Sequence, residues 1–326
     1  MIYMDFLTKA QSFDITHQVE QYKGKKLENF FSNQKVISNN MGEFLEIEWK
    51  LQEFSCNINL TNTRKKLLHN LKLVYLIGER VEKYLMGRGI RNLFDLKCHL
   101  RYRISANKII NLIKKKDYKT LSNNKYINDF DLLFCFSLED LLFIDIETLG
   151  IYDSPLFIIG LGYFKENVYE IHTLFARNLE EEIAICEYFK TNVLPKFKCF
   201  ISYNGKSFDI PYIANRCLYY FDENPMISKS EIPYENSNTL FHHVDLYHNC
   251  RRKYKGMYND YTLTNLETEL LNWKRTCNLP SSLVGPCYRK YINNPERYIG
   301  LVKDCIEHNY SDVYILPLIL RKLLED

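Results

Sequence analysis

No stretch of this chain approaches the roughly 20 consecutive apolar residues that a bilayer-spanning helix needs. The opening residues, MIYMDFLTKAQSFD, lack the basic-then-apolar order of a secretion signal. Ten cysteines occur but no two form a C-x-x-C pair, which argues against a zinc ribbon and an iron–sulfur cluster. The expectation is a cytoplasmic protein whose thiols are reduced and mostly buried. No internal repeat is visible. With 46% hydrophobic and 25% charged residues, the composition also speaks against large-scale disorder. What remains, at 326 residues, is room for one substantial domain and a smaller one.

Charge is unevenly distributed. Between Arg64 and Lys119 there are 16 Lys and Arg against four acids (Glu79, Glu82, Asp95, Asp117), a surplus of 12 positive charges. The chain's total of +3 leaves the remainder near −9. A basic segment joined to an acidic one is the balance expected when one part holds a polyanion and the other holds cations. A solvated basic helical face would give the same count.

Along the chain, residues 1–62 read as a short α+β lead-in, in which EFLEIEWKL (43–51) alternates as a half-buried strand does. Residues 63–124 read as a basic helical region. There the Gly87-Arg88-Gly89 turn is expected to stop one helix and let a second begin. The polar, Asn-rich stretch 120–130 is the candidate linker to a third part, 125–326. In that part LLFIDIE, PLFIIGLGYF and VYEIHTLF are near-continuous apolar runs, expected as central strands of a sheet covered on both faces. Helices are expected over 179–192, where acids crowd the first turn, and over SFDIPYIANRCLYY, with Pro211 in its opening turn. KCFISY supplies a further short strand, and beyond a loop at 222–238 the pattern is mostly helical. The fold class implied is α/β, a mixed sheet flanked by helices.

Three motifs could carry chemistry. In Phe143-Ile144-Asp145-Ile146-Glu147-Thr148, a strand would point Asp145 and Glu147 to the same side. Two carboxylates forced together in an apolar run are costly unless a cation neutralises them, and oxygen ligands suit Mg²⁺ or Mn²⁺. A strand-end acid beside a turn-capping acid would read the same way. In Ser202-Tyr203-Asn204-Gly205-Lys206-Ser207-Phe208-Asp209, a strand ends in an Asn-Gly turn and a helix opens with an acid. Asp209 is then either a dipole-stabilising residue or a third carboxylate, with Asn204 and Gly205 giving a substrate backbone close access. In Glu307-His308-Asn309-Tyr310-Ser311-Asp312, His308 and Asp312 share one helical face. A carboxylate with an imidazole one turn away can hold a metal and accept a proton from water, although a surface pair has the same spacing.

In this order, strand D-x-E, N-x-x-x-F-D, then a helical Asp with a base one turn earlier, the set resembles the DEDD (DnaQ-like) exonuclease superfamily, which has a ribonuclease H-like fold. The likeness is closer to its YprB-like branch of ribonuclease H-like domain proteins, on FIDIETLG, ISYNGKSFDIPYIANR, HVDLYHNCRR, LTNLETELL and EHNYSDVYIL. It covers roughly 141–326, and GEFLEIE resembles that branch's N-terminal extension. The resemblance implies that Asp145, Glu147, Asp209 and Asp312 bind two Mg²⁺ or Mn²⁺ ions and that His308 is the general base. It implies a 3′–5′ exonuclease. His308 departs from the pattern: members using His place it five residues before the last Asp, and this spacing of four is that of members using Tyr. Tyr310, two residues from Asp312, falls on another helical face.

Other residues are candidates for nucleic-acid contact. Thr148, Asn204 and Lys206 flank the motifs, and Lys206 also fits an exposed turn. The run from Leu76 to Ile90 resembles a helix-hairpin-helix element, with Glu79-Arg80 where a second hairpin glycine would often stand. Arg88, Arg91, Arg101 and Arg103 would then meet phosphates, unless the segment is a plain helical spacer. His242, His243 and Asp245 form a metal-like cluster, but HHVDLYHN reads better as a strand entering a helix. The expected partner is DNA or RNA, single-stranded or with a free 3′ end, and no membrane. An endonuclease on the same site and a catalytically idle nucleic-acid-binding module are the rival readings.

Overall fold

The computed structural model of the protein describes residues 15–52, 54, 57–227, 241–276 and 279–325. Residues 1–14 and most of the loop expected over 222–238 lie outside the described residues. Seven strands form one mixed sheet: β1 (Gln34–Asn39), β2 (Gly42–Leu51), β3 (Leu141–Thr148), β4 (Leu156–Lys165), β5 (Val168–Phe175), β6 (Cys199–Ser202) and β7 (His242–Asp245). Their order is β1-β2-β5-β4-β3-β6-β7. The three apolar runs are the middle strands β3, β4 and β5, joined antiparallel, while β6 and β7 lie parallel to β3.

Helices follow in chain order: α1 (Ile15–Tyr22), α2 (Asn62–His69), α3 (Glu79–Gly87), α4 (Arg103–Lys115), α5 (Tyr118–Ser122), α6 (Glu182–Tyr188) and α7 (Asp209–Phe221). Then come α8 (Leu246–Lys253), α9 (Leu263–Glu269), α10 (Ser281–Asn293) and the long α11 (Pro295–Leu324). No helix is long and apolar enough to cross a membrane among the described residues.

Both faces of the sheet are covered, as the unbroken apolar runs require. On one face Ile144, Ile159 and Leu161 pack with Ile185, Phe189 and Ile213 of the α6–α7 side. On the other, Phe143, Tyr169 and Ile171 pack with Val313, Leu316 and Leu320 of α11. Residues 34–51, expected as part of a separate lead-in over 1–62, hydrogen-bond into this sheet. β2 pairs with β5 from Leu45 opposite Phe175 to Leu51 opposite Tyr169, and Trp49 meets the Tyr310 ring on α11 at 4.8 Å.

The basic region has a core of its own, in which Leu71, Leu85, Leu93 and Ile110 pack with Leu132 and Phe134. One expectation fails here. After the Gly87-Arg88-Gly89 turn no second α-helix begins until Arg103; only a short 3-10 turn, Asp95–Cys98, intervenes. Asn92 Oδ1 accepts from the N–H groups of Phe94 and Asp95, and Asp95 Oδ2 accepts from those of Arg91 and Asn92. Short polar side chains satisfy the backbone locally and so displace the helix. The 120–130 stretch is likewise tied down. Asn124 Nδ2 donates to the Leu73 carbonyl at 2.9 Å, and Asn70 Nδ2 to that of Tyr126 at 3.3 Å.

Two glycines of β4 let α11 lie against the sheet. A Cβ at Gly162 would stand 2.1 Å from Tyr169 Oη and 2.8 Å from a Val313 methyl, and one at Gly160 would stand 2.2 Å from Asn309 Oδ1. Tyr169 is fully buried and donates to the Val313 carbonyl at 3.0 Å, so it has little freedom to give way. Gly162→Ala should therefore cost about 1–3 kcal/mol by overpacking. Urea unfolding measures this, with Gly87→Ala, where a Cβ meets nothing within 4 Å, as the control. Equal midpoints for Gly162→Ala and the parent would refute this close approach of helix and sheet.

Candidate metal centre

Asp145 and Glu147 alternate along β3 and so share the face that α11 crosses. Ile146 between them is buried on the other side, and its N–H donates to Asp209 Oδ1 at 3.1 Å. That bond ties Asp209, the first residue of α7, to the strand bearing the other two acids. The turn before Asp209 is fixed by Asp245, which is fully buried at the end of β7. Its Oδ1 accepts from the N–H of Asn204 at 2.9 Å and of Tyr247 at 3.1 Å, and its Oδ2 from Lys206 N–H at 3.1 Å. Asp245 thus caps α8 and braces the loop that delivers Asp209.

α11 brings the remaining groups. His308 Nε2 lies 3.2 Å from Asp312 Oδ2 and 3.9 Å from Glu147 Oε1. Ligating atoms of Glu147, His308 and Asp312 all fall within 4.8 Å of one another, close enough to hold one ion. Asn309, the residue after His308, donates from Nδ2 to Asp145 Oδ2 at 2.9 Å and reaches it across the bare backbone of Gly160. The structure therefore brings Asp145, Glu147, Asp209, His308 and Asp312 together. Tyr310 points elsewhere on the helix, into the Trp49 and Tyr314 rings.

The charges at this site are costly. Burial first, then Asp312, Asp209 and Glu147, push the Asp145 carboxyl well above the usual range. Burial raises Glu147 to about 8 even though His308 pulls the other way, and burial raises Asp209 to about 7 against two backbone hydrogen bonds. Asp312 is held low. Burial opposes its ionisation, but His308 and Arg275 outweigh that. For His308 burial disfavours the charged form, yet Asp312 and then Glu147 raise its pKa.

Sequence reasoning missed Arg275, in the segment between α9 and α10. Its guanidinium contacts Glu267, Asp312 and His308. No residue pattern marks it, because its contacts span 8, 33 and 37 positions. Asn309 was visible inside Glu307–Asp312, but its partner Asp145 lies 164 positions away.

The other candidates have surroundings of their own. Thr148 donates its hydroxyl to the Gly150 carbonyl at 2.7 Å. Asn204 is exposed, with φ at +64°, whereas Gly205 is buried beside Ser202 and Asp209 instead of open to a ligand. Lys206 Nζ is 2.5 Å from Asp129. Arg88, Arg91, Arg101 and Arg103 are all exposed on the basic region, with Arg88 stacked 4.5 Å over the Tyr84 ring. His242 and His243 turn to different partners, the Asp129 carbonyl at 2.8 Å and Ser202 Oγ at 2.7 Å.

The donors suit a hard divalent cation: carboxylate oxygens first, one imidazole, and buried acids whose mutual repulsion a cation would relieve. A second acidic group, Glu48, Glu170 and His172, carries its counter-charge on lysines, with Lys35 2.9 Å from neighbouring Glu46 and Lys50 2.8 Å from Glu48, whereas in the first group the counter-charge is Arg275 on Asp312 alone.

A pH dependence follows. The folded protein keeps protons on Glu147 and Asp209 up to about 8 and about 7, whereas an unfolded chain releases them near pH 4–5. Stability from these groups is fully present below pH about 4 and is lost as pH rises through 7 and 8. In EDTA, Tm should fall over that interval, and Glu147→Gln should flatten the fall. Mn²⁺ should restore more at pH 8 than at pH 5, because the ligands must be deprotonated. A Tm that is level or rising in EDTA from pH 5 to 8, with Glu147→Gln identical to the parent, would contradict this.

Two comparisons bear on the site. The family model RNase_H_2, of the RNase_H superfamily, matches residues 142–324, an interval containing all five residues and Arg275. A protein of Bacillus subtilis (strain 168) called "Uncharacterized protein YprB" is 26% identical over 184 residues. That alignment takes in 56% of this chain and 41% of the relative, so the chain spans under half of that protein's length.

Proposed function

Because this chain belongs to the RNase H superfamily, we propose that it is a divalent-metal-dependent nuclease that removes nucleotides from the 3′ ends of DNA or RNA. The observation that carries this reading is the meeting of Asp145, Glu147, Asp209 and Asp312 beside His308, from three separate motifs. Asp145, Glu147, Asp209 and Asp312 would hold two Mg²⁺ or Mn²⁺ ions. When bound, such a pair supplies an acidified water and positive charge for the phosphate oxygens. The protein's own part is to position and to move protons. Asn309 and Gly160 fix the Asp145 carboxylate, the Ile146 N–H fixes Asp209, and Asp312 orients His308. His308 Nε2 points between Glu147 and Asp312, where it would take the proton of the attacking water as general base.

End-labelled single- and double-stranded DNA and RNA, digested with Mg²⁺ or Mn²⁺, test this. The expected product is a ladder shortening from the 3′ end. Asp145→Asn should abolish it with the fold intact, and His308→Ala should slow it by about 10²–10⁴-fold. Undiminished cleavage by Asp145→Asn would sink the mechanism. Internal cuts without a ladder would instead mark an endonuclease.

The basic region is proposed to hold the nucleic-acid backbone, on the strength of its 16 cationic residues and the exposure of Arg88, Arg91, Arg101 and Arg103. Affinity for long nucleic acids should then fall steeply with salt. Replacing those four arginines by Ala should flatten the slope by roughly 0.7–0.9 for each phosphate that is no longer neutralised. Hydrolysis of a very short substrate should barely change, because the metal ligands are untouched. An unaltered salt slope would make this region a spacer.

A further inference from the structure

Arg275 is the one strong cation set into the carboxylate cluster among the described residues, and it is held there by a dedicated partner. Its side chain is 8% exposed, and that of Glu267 is 2% exposed. Arg275 Nε donates to Glu267 Oε2 at 2.6 Å while a terminal nitrogen meets Glu267 Oε1, a two-point grip that fixes the plane of the guanidinium. Trp273 N–H donates to the Glu267 carbonyl at 2.8 Å and secures the segment that carries the arginine. The same terminal nitrogen reaches Asp312 Oδ1, and the other stands 3.4 Å from His308 Nδ1. Asp312 is thereby engaged on both oxygens, Oδ1 by Arg275 and Oδ2 by His308.

We propose that Arg275, anchored by Glu267, is the protein's own counter-ion for Asp312 and competes with a divalent cation for that carboxylate. The inference rests on the metal-centre reading above. Two cations cannot share one carboxylate in a buried site without strong repulsion, so an ion entering at Asp312 must displace the guanidinium or bind against its repulsion. Among the described residues Asp145 and Asp209 form no ion pair with a cation, and Glu147 faces only His308 at 3.9 Å with Arg275 farther off, so the two ion positions are unequal. The position using Asp312 is the weaker, and Arg275 sets how weak it is.

Isothermal titration of the full chain with Mn²⁺ tests this, using the parent, Arg275→Gln, Asp312→Asn and the double variant. Circular dichroism and thermal melts confirm that each is folded. Arg275→Gln should tighten the weaker binding event by about tenfold or more, and should do nothing further once Asp312 is Asn. That pattern in the four-way cycle isolates the pair from general electrostatics. If Arg275→Gln fails to fold, Arg275→Lys serves. It keeps the charge but loses the two-point grip, so a smaller tightening is expected. Unchanged Mn²⁺ affinity in a folded Arg275 variant would overturn the proposal and leave the metal centre standing. Equal tightening in the Asp312→Asn background would also overturn it, since the arginine would then act only through overall charge. No Mn²⁺ binding by the parent would remove the metal centre itself.

Discussion

The repulsion among buried carboxylates is the constraint on which the rest of this structure depends. Asp145, Glu147 and Asp209 are packed where burial raises the pKa of each, and the charge of Asp312 raises each further. A fold tolerates such a cluster only when rigid elements force it and when a cation offsets the repulsion. Here the forcing is distributed. β3 fixes two acids by its alternation, the Ile146 N–H reaches for the third, and α11 lays the fourth across the sheet. The close approach of α11 depends in turn on the bare backbone of Gly160 and Gly162. Pattern, packing and charge are thus one problem, solved at one place.

Much of this was legible in the sequence because the signals are local. Unbroken apolar runs marked β3, β4 and β5, and an acid two residues from another on a strand marked a shared face. Asp209 and Asp312 were legible as helix acids from their own residues, and their meeting with Asp145 and Glu147 followed from the order of the three motifs and the resemblance it carries, since 63 and more residues separate the elements involved. What stayed hidden depends on long-range geometry. Arg275 sits in an irregular segment, Asn309 gains meaning only opposite Gly160, and Asp245 read as a helix cap although it also braces the Asp209 loop. β2 was recognised as a strand, but its place between β1 and β5 could not be read from its own residues. The failed helix after Gly89 has the opposite cause. Its apolar spacing is helical, yet Asn92 and Asp95 settle the backbone locally first.

The molecule also divides its charge by region. The carboxylates lie between sheet and α11, while the basic residues cover a helical unit with its own core. An acidic centre repels a polyanion until cations fill it, so a separate basic surface is what a nuclease of this form would need to collect its substrate. The family match takes in β3 to β7 and α11 but neither β1 and β2 nor that unit, so the unit's role rests on charge and exposure alone.

The central claim is that the four carboxylates form one divalent-cation centre, and anomalous diffraction from crystals soaked in Mn²⁺ tests it most directly. The account predicts two peaks about 3.5–4 Å apart, bounded by Asp145, Glu147, Asp209 and Asp312. Strong Mn²⁺ peaks confined to other places, such as the group of Glu48, Glu170 and His172, with none between β3 and α11, would contradict it.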